Sequence, residues 1–341
     1  MVLPGHPESD DTQTVNQELV LLAGFDAGQT TCRCRLSRWN GERFQVLGEG
    51  RGSGVSHLDA HDGEARFRRA IDSSLEAALE QVRDESREQP LGREHLHAAA
   101  IGASGIEADT DLQTRGAALL ASALALPEHR CLATGDERTA LRGAFPDRAG
   151  IVLISGTGMI VVGRDATGRE HRCGGWGWRL DGAGSAFDIG HQALQLSVRM
   201  ADGRVPDGPL RHNLWEALDC RSAAELKALV VRDRHAVADE ARLAPLVADA
   251  AANGDPAARR ILQCSASALA KAATATAHAL GLQAPCLEAR GGALEHMPLF
   301  LQLVQTSLRE QLPDSHWQTT DGDACHGALV LALDRAGLRP H

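Results

Sequence analysis

The feature that most constrains this chain is a plan that occurs twice, roughly 130 residues apart. In the first copy an apolar run, Leu19-Val20-Leu21-Leu22-Ala23-Gly24-Phe25, ends at Asp26. It turns through Ala27, Gly28, Gln29 and Thr30 and returns through Cys32, Cys34 and Leu36. In the second copy Ile151-Val152-Leu153-Ile154 runs into Ser155-Gly156-Thr157-Gly158 and returns through Met159 to Gly163. Each reads as a buried strand, a small-residue turn with a hydroxyl, and a returning strand. In such turns successive backbone N–H groups can point at phosphate oxygens, and glycine permits close approach. Either turn alone reads first as an ordinary hairpin. Two that open two lobes are expected to face each other across a cleft and grip a nucleotide's phosphates from both sides. The loop is not of the G-x-x-x-x-G-K-[ST] kind, which occurs nowhere in the chain.

The remaining pattern fits an α/β protein with two lobes. Trp39-Asn40-Gly41-Glu42 reads as a hairpin turn into a third strand, Phe44 to Leu47. Phe67, Ile71, Leu75, Leu79 and Val82 recur at helical spacing and predict an amphipathic helix over 64–82. A break at Pro90-Leu91-Gly92 precedes a strand over 96–102, a helix over 111–126 and a strand ending near Thr134. The second hairpin is followed by a turn at Asp165-Ala166-Thr167-Gly168. After Gly182 the chain reads as helical through Leu280, then as a short strand, Cys286 to Ala289, that meets Arg290-Gly291-Gly292, with a helix from near Ala293. At 341 residues the chain is long enough for two cores. The expected division is a disordered tail over 1–17, an N-terminal lobe over 18–134 and a C-terminal lobe over 135–341. The last helix, about 326–337, is expected to pack back on the N-terminal lobe.

Composition removes several function classes. A formal net charge of -10, 3% aromatic residues and no tyrosine argue against a nucleic-acid surface. No run approaches the ~18 apolar residues needed to span a bilayer, and the polar, acidic start has no apolar core of a signal peptide. Eight cysteines (Cys32, Cys34, Cys131, Cys173, Cys220, Cys264, Cys286 and Cys325) include no C-x-x-C pair, so they read as reduced thiols of a cytoplasmic protein. His57 with His61 and His95 with His97 lie in polar surroundings and read as solvated.

The stretch from Gly150 to Leu194 carries IVLISGTG, then CGGWG at Cys173 to Gly177, GSA at Gly184 to Ala186 and HQA at His191 to Ala193. It resembles the N-acetylglucosamine kinases within the BadF/BadG-type ATPase family, and a weaker similarity spans about residues 19 to 337. The resemblance implies the two-lobed actin-like (ribonuclease H-like) fold shared with hexokinases, Mg-ATP as phosphoryl donor and an amino-sugar 6-hydroxyl as acceptor. By the same resemblance, Gly28, Gln29, Thr30, Thr31, Gly156, Thr157 and Gly158 are expected around phosphate, and Gly291 and Gly292 against adenosine. Asp26 and Asp136 are expected to organise Mg²⁺, Gly175, Trp176 and Gly177 to form part of the sugar pocket, and a homodimer is compatible with it. Taken alone, Trp176 reads equally as a core or lid aromatic.

Transfer to a sugar hydroxyl needs a carboxylate that accepts the hydroxyl proton. The family's Asp after a strand-ending S-G-G matches Ser104-Gly105-Ile106-Glu107, which makes Glu107 the expected base and Asp109 its substitute. A solvent-facing carboxylate at a helix start is the other reading of Glu107. The acceptor side departs from the family pattern: Ser56-His57 stands where an Asn precedes His, Gly182 where an Asp stands (with Asp181 one position early), and Met159-Ile160 where Ser-Asn follows G-T-G. The acceptor is therefore expected to be N-acetylglucosamine or a relative such as glucosamine or N-acetylmuramic acid. Two other readings share the fold: a non-catalytic sugar or nucleotide sensor, favoured by Glu107 and Gly182, and an activator ATPase with an iron–sulfur cluster, against which the scattered cysteines count.

Overall fold

The structure, a computed structural model, describes residues 20–85, 91–232, 237–320 and 322–338. The tail expected over residues 1–17 lies outside the described residues, as do Leu19 and Pro90. β1 (Val20–Ala27), β2 (Thr31–Trp39) and β3 (Phe44–Ser53) form an antiparallel meander. α1 (Gly63–Glu85) leads to β4 (Leu96–Ala103), and α2 (Asp111–Leu124) leads to β5 (Cys131–Thr134). β4 runs parallel to β1 and β5 parallel to β4, so the first sheet has the order β3-β2-β1-β4-β5.

After α3 (Asp136–Ala144) the plan repeats. β6 (Gly150–Ser155), β7 (Met159–Arg164) and β8 (Glu170–Gly174) form a second antiparallel meander. A helical layer follows: α4 (Ala186–Ala201), α5 (Pro209–Ala217), α6 (Ala223–Arg232), α7 (Val237–Ala241), α8 (Ala244–Ala252) and the long α9 (Pro256–Leu280). β9 (Cys286–Arg290) pairs parallel to β6. After α10 (Gly292–His296) and α11 (Pro298–Gln311), β10 (His316–Trp317) pairs parallel to β9. The second sheet thus has the order β8-β7-β6-β9-β10, the same as the first. The duplication read from two hairpins extends to two whole sheets.

Packing explains where the chain departs from its expected elements. β3 runs to Ser53 instead of stopping near Leu47, because Gly48, Gly50 and Gly52 face α1 at alternate positions. A Cβ on Gly50 would lie 2.0 Å from the Ser74 carbonyl oxygen, so the helix backbone rests directly on the strand. In the sequence the same glycines look like a loop. α3 shows no apolar period in the sequence, because its buried face includes Glu137, Thr139 and Gly143 beside Leu141 and Ala144. β8 and β10 are short and polar, and they too gave no strand signal.

Each sheet has its own core. Phe25, Leu36, Phe67, Ile71 and Ile101 are buried between the first sheet and its helices, and Leu153, Val161, Phe187, Leu269 and Phe300 belong to the second core. α12 (Ala324–Arg335) lies on the other face of the first sheet, where Leu329, Ala332 and Leu333 meet Val20, Leu22, Ala98 and Ala100. Gly24 allows that contact, since a Cβ there would sit 2.6 Å from the Cys325 carbonyl oxygen. No helix among the described residues is long and apolar enough to cross a membrane.

Candidate active site

Parallel pairing sets the site. Because β1 and β4 run the same way, Asp26 and Ala27 register with Gly102 and Ala103, and the Ser104 N–H donates to the Ala27 carbonyl at 3.1 Å. β6 and β9 likewise bring Ile154 beside Arg290. The C-terminal strand ends of both sheets open onto one cleft of about 530 Å³, the edge at which open α/β sheets receive ligands. Asp26, Gly105, Glu107 and Asp136 line it from the first half of the chain. Gly156, Thr157, Gly158, Arg172 and Gly175 line it from the second.

The turn after β6 is firmly held. The Gly156 N–H donates to the Gly158 carbonyl at 2.9 Å, the Ser155 hydroxyl donates to the Gly184 carbonyl at 2.7 Å, and the Ala186 N–H donates to the Gly156 carbonyl at 2.8 Å. Space beside it is open: a Cβ on Gly158 would meet nothing within 4 Å, and one on Gly156 only the Gly292 nitrogen at 4.0 Å. Gly291, at φ +90°, packs so closely that a Cβ would lie 2.5 Å from the Ser155 carbonyl oxygen. Gly291 and Gly292 therefore back the turn and do not line the cleft.

The turn after β1 is placed differently. Gly28 to Thr31 is tied to the irregular segment that follows β3: the Val55 N–H donates to the Gly28 carbonyl at 2.9 Å, and a Cβ on Gly54 would fall 2.2 Å from the Gln29 carbonyl oxygen. Gln29, Thr30 and Thr31 are exposed and do not line the cleft; Asp26 does. Arg33 donates to Asp26 at 2.8 Å and to Asp323, the N-cap of α12, at 3.1 Å. Asp323 also accepts from Arg35 at 2.8 Å. In the sequence Arg33 and Arg35 only alternate with Cys32 and Cys34, the pattern of a half-exposed strand, which says nothing of these partners.

The acidic floor is the most perturbed part of the cleft. Burial raises the Asp136 carboxyl pKa above its usual range, and the neighbouring Asp26 charge adds to this, while backbone N–H groups at the start of α3 pull the other way. Burial, then the Asp136 charge, pushes Glu137 up to about 7. Glu137 is 8% exposed and went unnoticed in the sequence, where it sits in a polar run.

Glu107, by contrast, keeps 49% of its side chain exposed and accepts one long contact, 3.5 Å, from Arg172. Arg172 also stacks over Trp176, 4.4 Å from the ring centroid. Gly174 and Gly175 both have φ +76°, and a Cβ on either would strike Met159 or Ile160, so this loop and the residues after Gly158 are fitted to each other. Trp176 (56% exposed), Gly177 and Asp181 stand outside the cleft lining. Ser56 and His57 do too, yet His57 packs on Gly105, where a Cβ would be 3.1 Å from its ring, and the buried Ser56 hydroxyl has no hydrogen-bond partner among the described residues.

The thiols are scattered. Burial pushes Cys32 up to about 11 and Cys325 up to about 12, and no three His, Cys, Asp or Glu among the described residues gather as a metal-ligand set.

Residues 23–328 match the model of the BadF/BadG/BcrA/BcrD ATPase family. The chain belongs to that family. An N-acetylmuramic acid/N-acetylglucosamine kinase of Clostridium acetobutylicum is 28% identical to this family member over 205 residues, covering 60% of this chain and 67% of the relative. An N-acetyl-D-glucosamine kinase of Dictyostelium discoideum is 25% identical over 280 residues, covering 80% and 86%. The crystal structure of a candidate N-acetylglucosamine kinase from Chromobacterium violaceum superposes with a TM-score of 0.71 at 28% identity, covering 92% of this chain and 99% of that one. A ROK family glucokinase from Streptomyces griseus, solved with glucose and AMPPNP, shares the fold at TM-score 0.52 and 16% identity over 92% of this chain and 98% of that one. The fold is the actin-like two-lobed fold of these sugar kinases.

Proposed function

We propose that this BadF/BadG/BcrA/BcrD ATPase family protein is an ATP-dependent kinase that phosphorylates the 6-hydroxyl of an amino sugar, N-acetylglucosamine or a close relative. The observation that carries the reading is one cleft holding an open glycine turn, Gly156 to Gly158, opposite a half-buried carboxylate, Asp136. The kinase names of the two curated relatives support the same chemistry.

In this reading residues 18–134 with α12 form one lobe and the rest of 135–341 the other. Thr157 and Gly158 bind phosphate oxygens through backbone N–H groups and the Thr157 hydroxyl, while Gly156, whose own N–H is held by the Gly158 carbonyl, leaves room for their close approach. Gly28, Gln29, Thr30 and Thr31 reach the phosphates only when the lobes draw together, and Gly291 and Gly292 keep the adenosine side bare of side chains. Closure would exclude water and limit ATP hydrolysis. Ser56, His57 and Gly105 form one wall for the sugar, and Gly175, Trp176, Gly177 and Asp181 the other.

Asp136, and not Glu107, is the carboxylate we assign as base. Its raised pKa brings it toward the working pH, and it stands on the cleft floor, whereas Glu107 is half exposed at the rim. As the sugar oxygen bonds to the γ-phosphorus and the bond to the leaving ADP breaks, Asp136 accepts the hydroxyl proton. Asp26, a hard oxygen donor lining the cleft, fits Mg²⁺, and Asp136, which the family resemblance also set beside the ion, is kept free of it as the base. Mg²⁺ would supply charge neutralisation on the phosphates.

Arg172 refines the acceptor. Among the described residues three arginines line the cleft: Arg33 is bound by Asp26 and Asp323, and Arg290 by Glu288, Thr320 and Gly322, while Arg172 has the long Glu107 contact, the Trp176 ring and the field of the buried Glu137 but no close ion pair. A sugar carrying a carboxylate, as N-acetylmuramic acid does, would give it a full partner. A cytoplasmic location and a homodimer complete the reading, and light scattering tests the second. The deciding experiment is ADP release with Mg-ATP over a panel of neutral and acidic amino sugars. Sugar-dependent ADP supports the kinase, and ADP release indifferent to every sugar overturns it.

A further inference from the structure

A second cavity, of about 560 Å³, lies in the helical layer of the C-terminal half, between the later turns of α4, the loop before α5 and the first turns of α9. It shares no lining residue with the cleft. Its volume is that of a small-molecule site. Leu196, Met200 and Ile261 give it an apolar floor, and Arg199 and Arg260 bring two guanidinium groups. Neighbouring arginines are neutralised, Arg204 by Asp202 at 2.6 Å and Arg211 by Asp207 at 2.5 Å. Arg199 also feels the Asp202 charge at longer range, but neither it nor Arg260 makes a close ion pair or side-chain hydrogen bond among the described residues, in a chain whose net charge is -10.

The cavity is wired to the phosphate turn. Gln192, on its wall, donates to the Ser265 hydroxyl at 3.1 Å, which donates to the Asp188 carboxylate at 2.6 Å. Asp188 accepts the Gly184 N–H at 2.9 Å, and the Gly184 carbonyl accepts the Ser155 hydroxyl at 2.7 Å, one residue before Gly156. Ser265 and Ser155 are fully buried, so water does not compete for these bonds.

We propose that this cavity is an effector site for a small organic anion with an apolar body and one phosphate or carboxylate head, and that its occupancy alters nucleotide affinity through the Gln192–Ser265–Asp188–Gly184 chain. The head would bridge Arg199 and Arg260 and the body would cover Leu196, Met200 and Ile261. Coupling between two sites is reciprocal, so nucleotide must change the effector's affinity by the same factor. The binding half stands apart from the kinase reading; the coupling half rests on Gly156 to Gly158 being the nucleotide turn.

Cys264 lines this cavity and is exposed, while the other cysteines are buried or partly buried, which makes it a local reporter. In the full chain saturated with ADP, the rate of iodoacetamide alkylation at Cys264 is followed by mass spectrometry against phenyl phosphate. Phenyl phosphate is expected to slow it at least fivefold, with inorganic phosphate at least tenfold less potent. The double variant Arg199→Gln/Arg260→Gln, changed only at exposed positions, should lose that protection. Protection that survives the double variant, or its absence in the wild type, overturns the site. Calorimetry then reads the coupling: phenyl phosphate should shift the ADP Kd by at least threefold, and Gln192→Ala should abolish the shift while Cys264 protection persists. An unchanged ADP Kd in the wild type overturns the coupling and leaves the kinase reading untouched, because that is judged by sugar-dependent ADP release.

Discussion

Replacing Glu137 with Gln should change how stability depends on pH. The side chain is almost wholly buried beside Asp136, and its pKa stands at about 7 against 4.5 for the free carboxyl. Below pH 4.5 the group is protonated in the folded and unfolded chains alike, and its ionisation contributes nothing. Between 4.5 and about 7 the unfolded chain releases the proton while the fold retains it, so stability falls as pH rises. Above about 7 the penalty is complete. At about 1.4 kcal/mol per pH unit, that interval corresponds to on the order of 3 kcal/mol. Glutamine is neutral throughout and escapes it; a lost hydrogen bond would add only a constant offset. Urea unfolding of both proteins at pH 5, 6, 7 and 8 should therefore show the variant gaining on the wild type by about 2–3 kcal/mol between pH 5 and pH 8. Two stability curves that stay parallel across this range would refute the buried, proton-retaining carboxyl.

The catalytic assignment separates two variants: Asp136→Asn should lower sugar-dependent ADP release by a factor on the order of 10² to 10⁴ with ADP binding preserved, and Glu107→Gln by less than about tenfold. A Glu107 variant as impaired as the Asp136 variant would return the base to Glu107. Arg172→Met should lower kcat/KM for a carboxylate-bearing amino sugar about 10- to 100-fold more than for its neutral parent, the range of one charge-assisted hydrogen bond. Equal losses on both sugars would remove the carboxylate from its role. Gly50→Ala should cost about 3 kcal/mol in urea unfolding, because its Cβ would meet helix backbone at 2.0 Å, which cannot swing aside. A change under about 1 kcal/mol would show that α1 can ride off the strand.

The architecture was legible because buried strands and their turns are local signals. Val20 to Phe25 and Ile151 to Ile154 are short apolar runs ending in small residues, and the sequence between them supplies helical spacing at Phe67, Ile71 and Leu75. Asp26 and Gly156 to Gly158 are legible as the ends of strands and their turns, and Asp136 and Gly175 through the family resemblance; all of them line the cleft where the strand ends meet. What escaped depends on contacts between distant segments. Arg33 finds Asp323 across 290 positions, and Arg172 meets Glu107 across 65, and no local period encodes either pair. Glu137 escaped because burial, not residue type, makes it unusual. Glu107 is singled out by the family resemblance at Ser104-Gly105-Ile106-Glu107, and the proposal to move the base to Asp136 rests on the exposure of Glu107, which no sequence pattern encodes.

The placement of α12 bears on how the chain is made. Val20, Leu22, Ala98 and Ala100 leave the ribosome early, yet the surface that shields them, Leu329, Ala332 and Leu333, is synthesised more than two hundred residues after Ala100. That greasy side of the first sheet thus stays bare while the whole intervening stretch is made, exposed to chaperones and to strand-to-strand sticking. Cutting the gene after the second sheet would leave that half permanently unfinished.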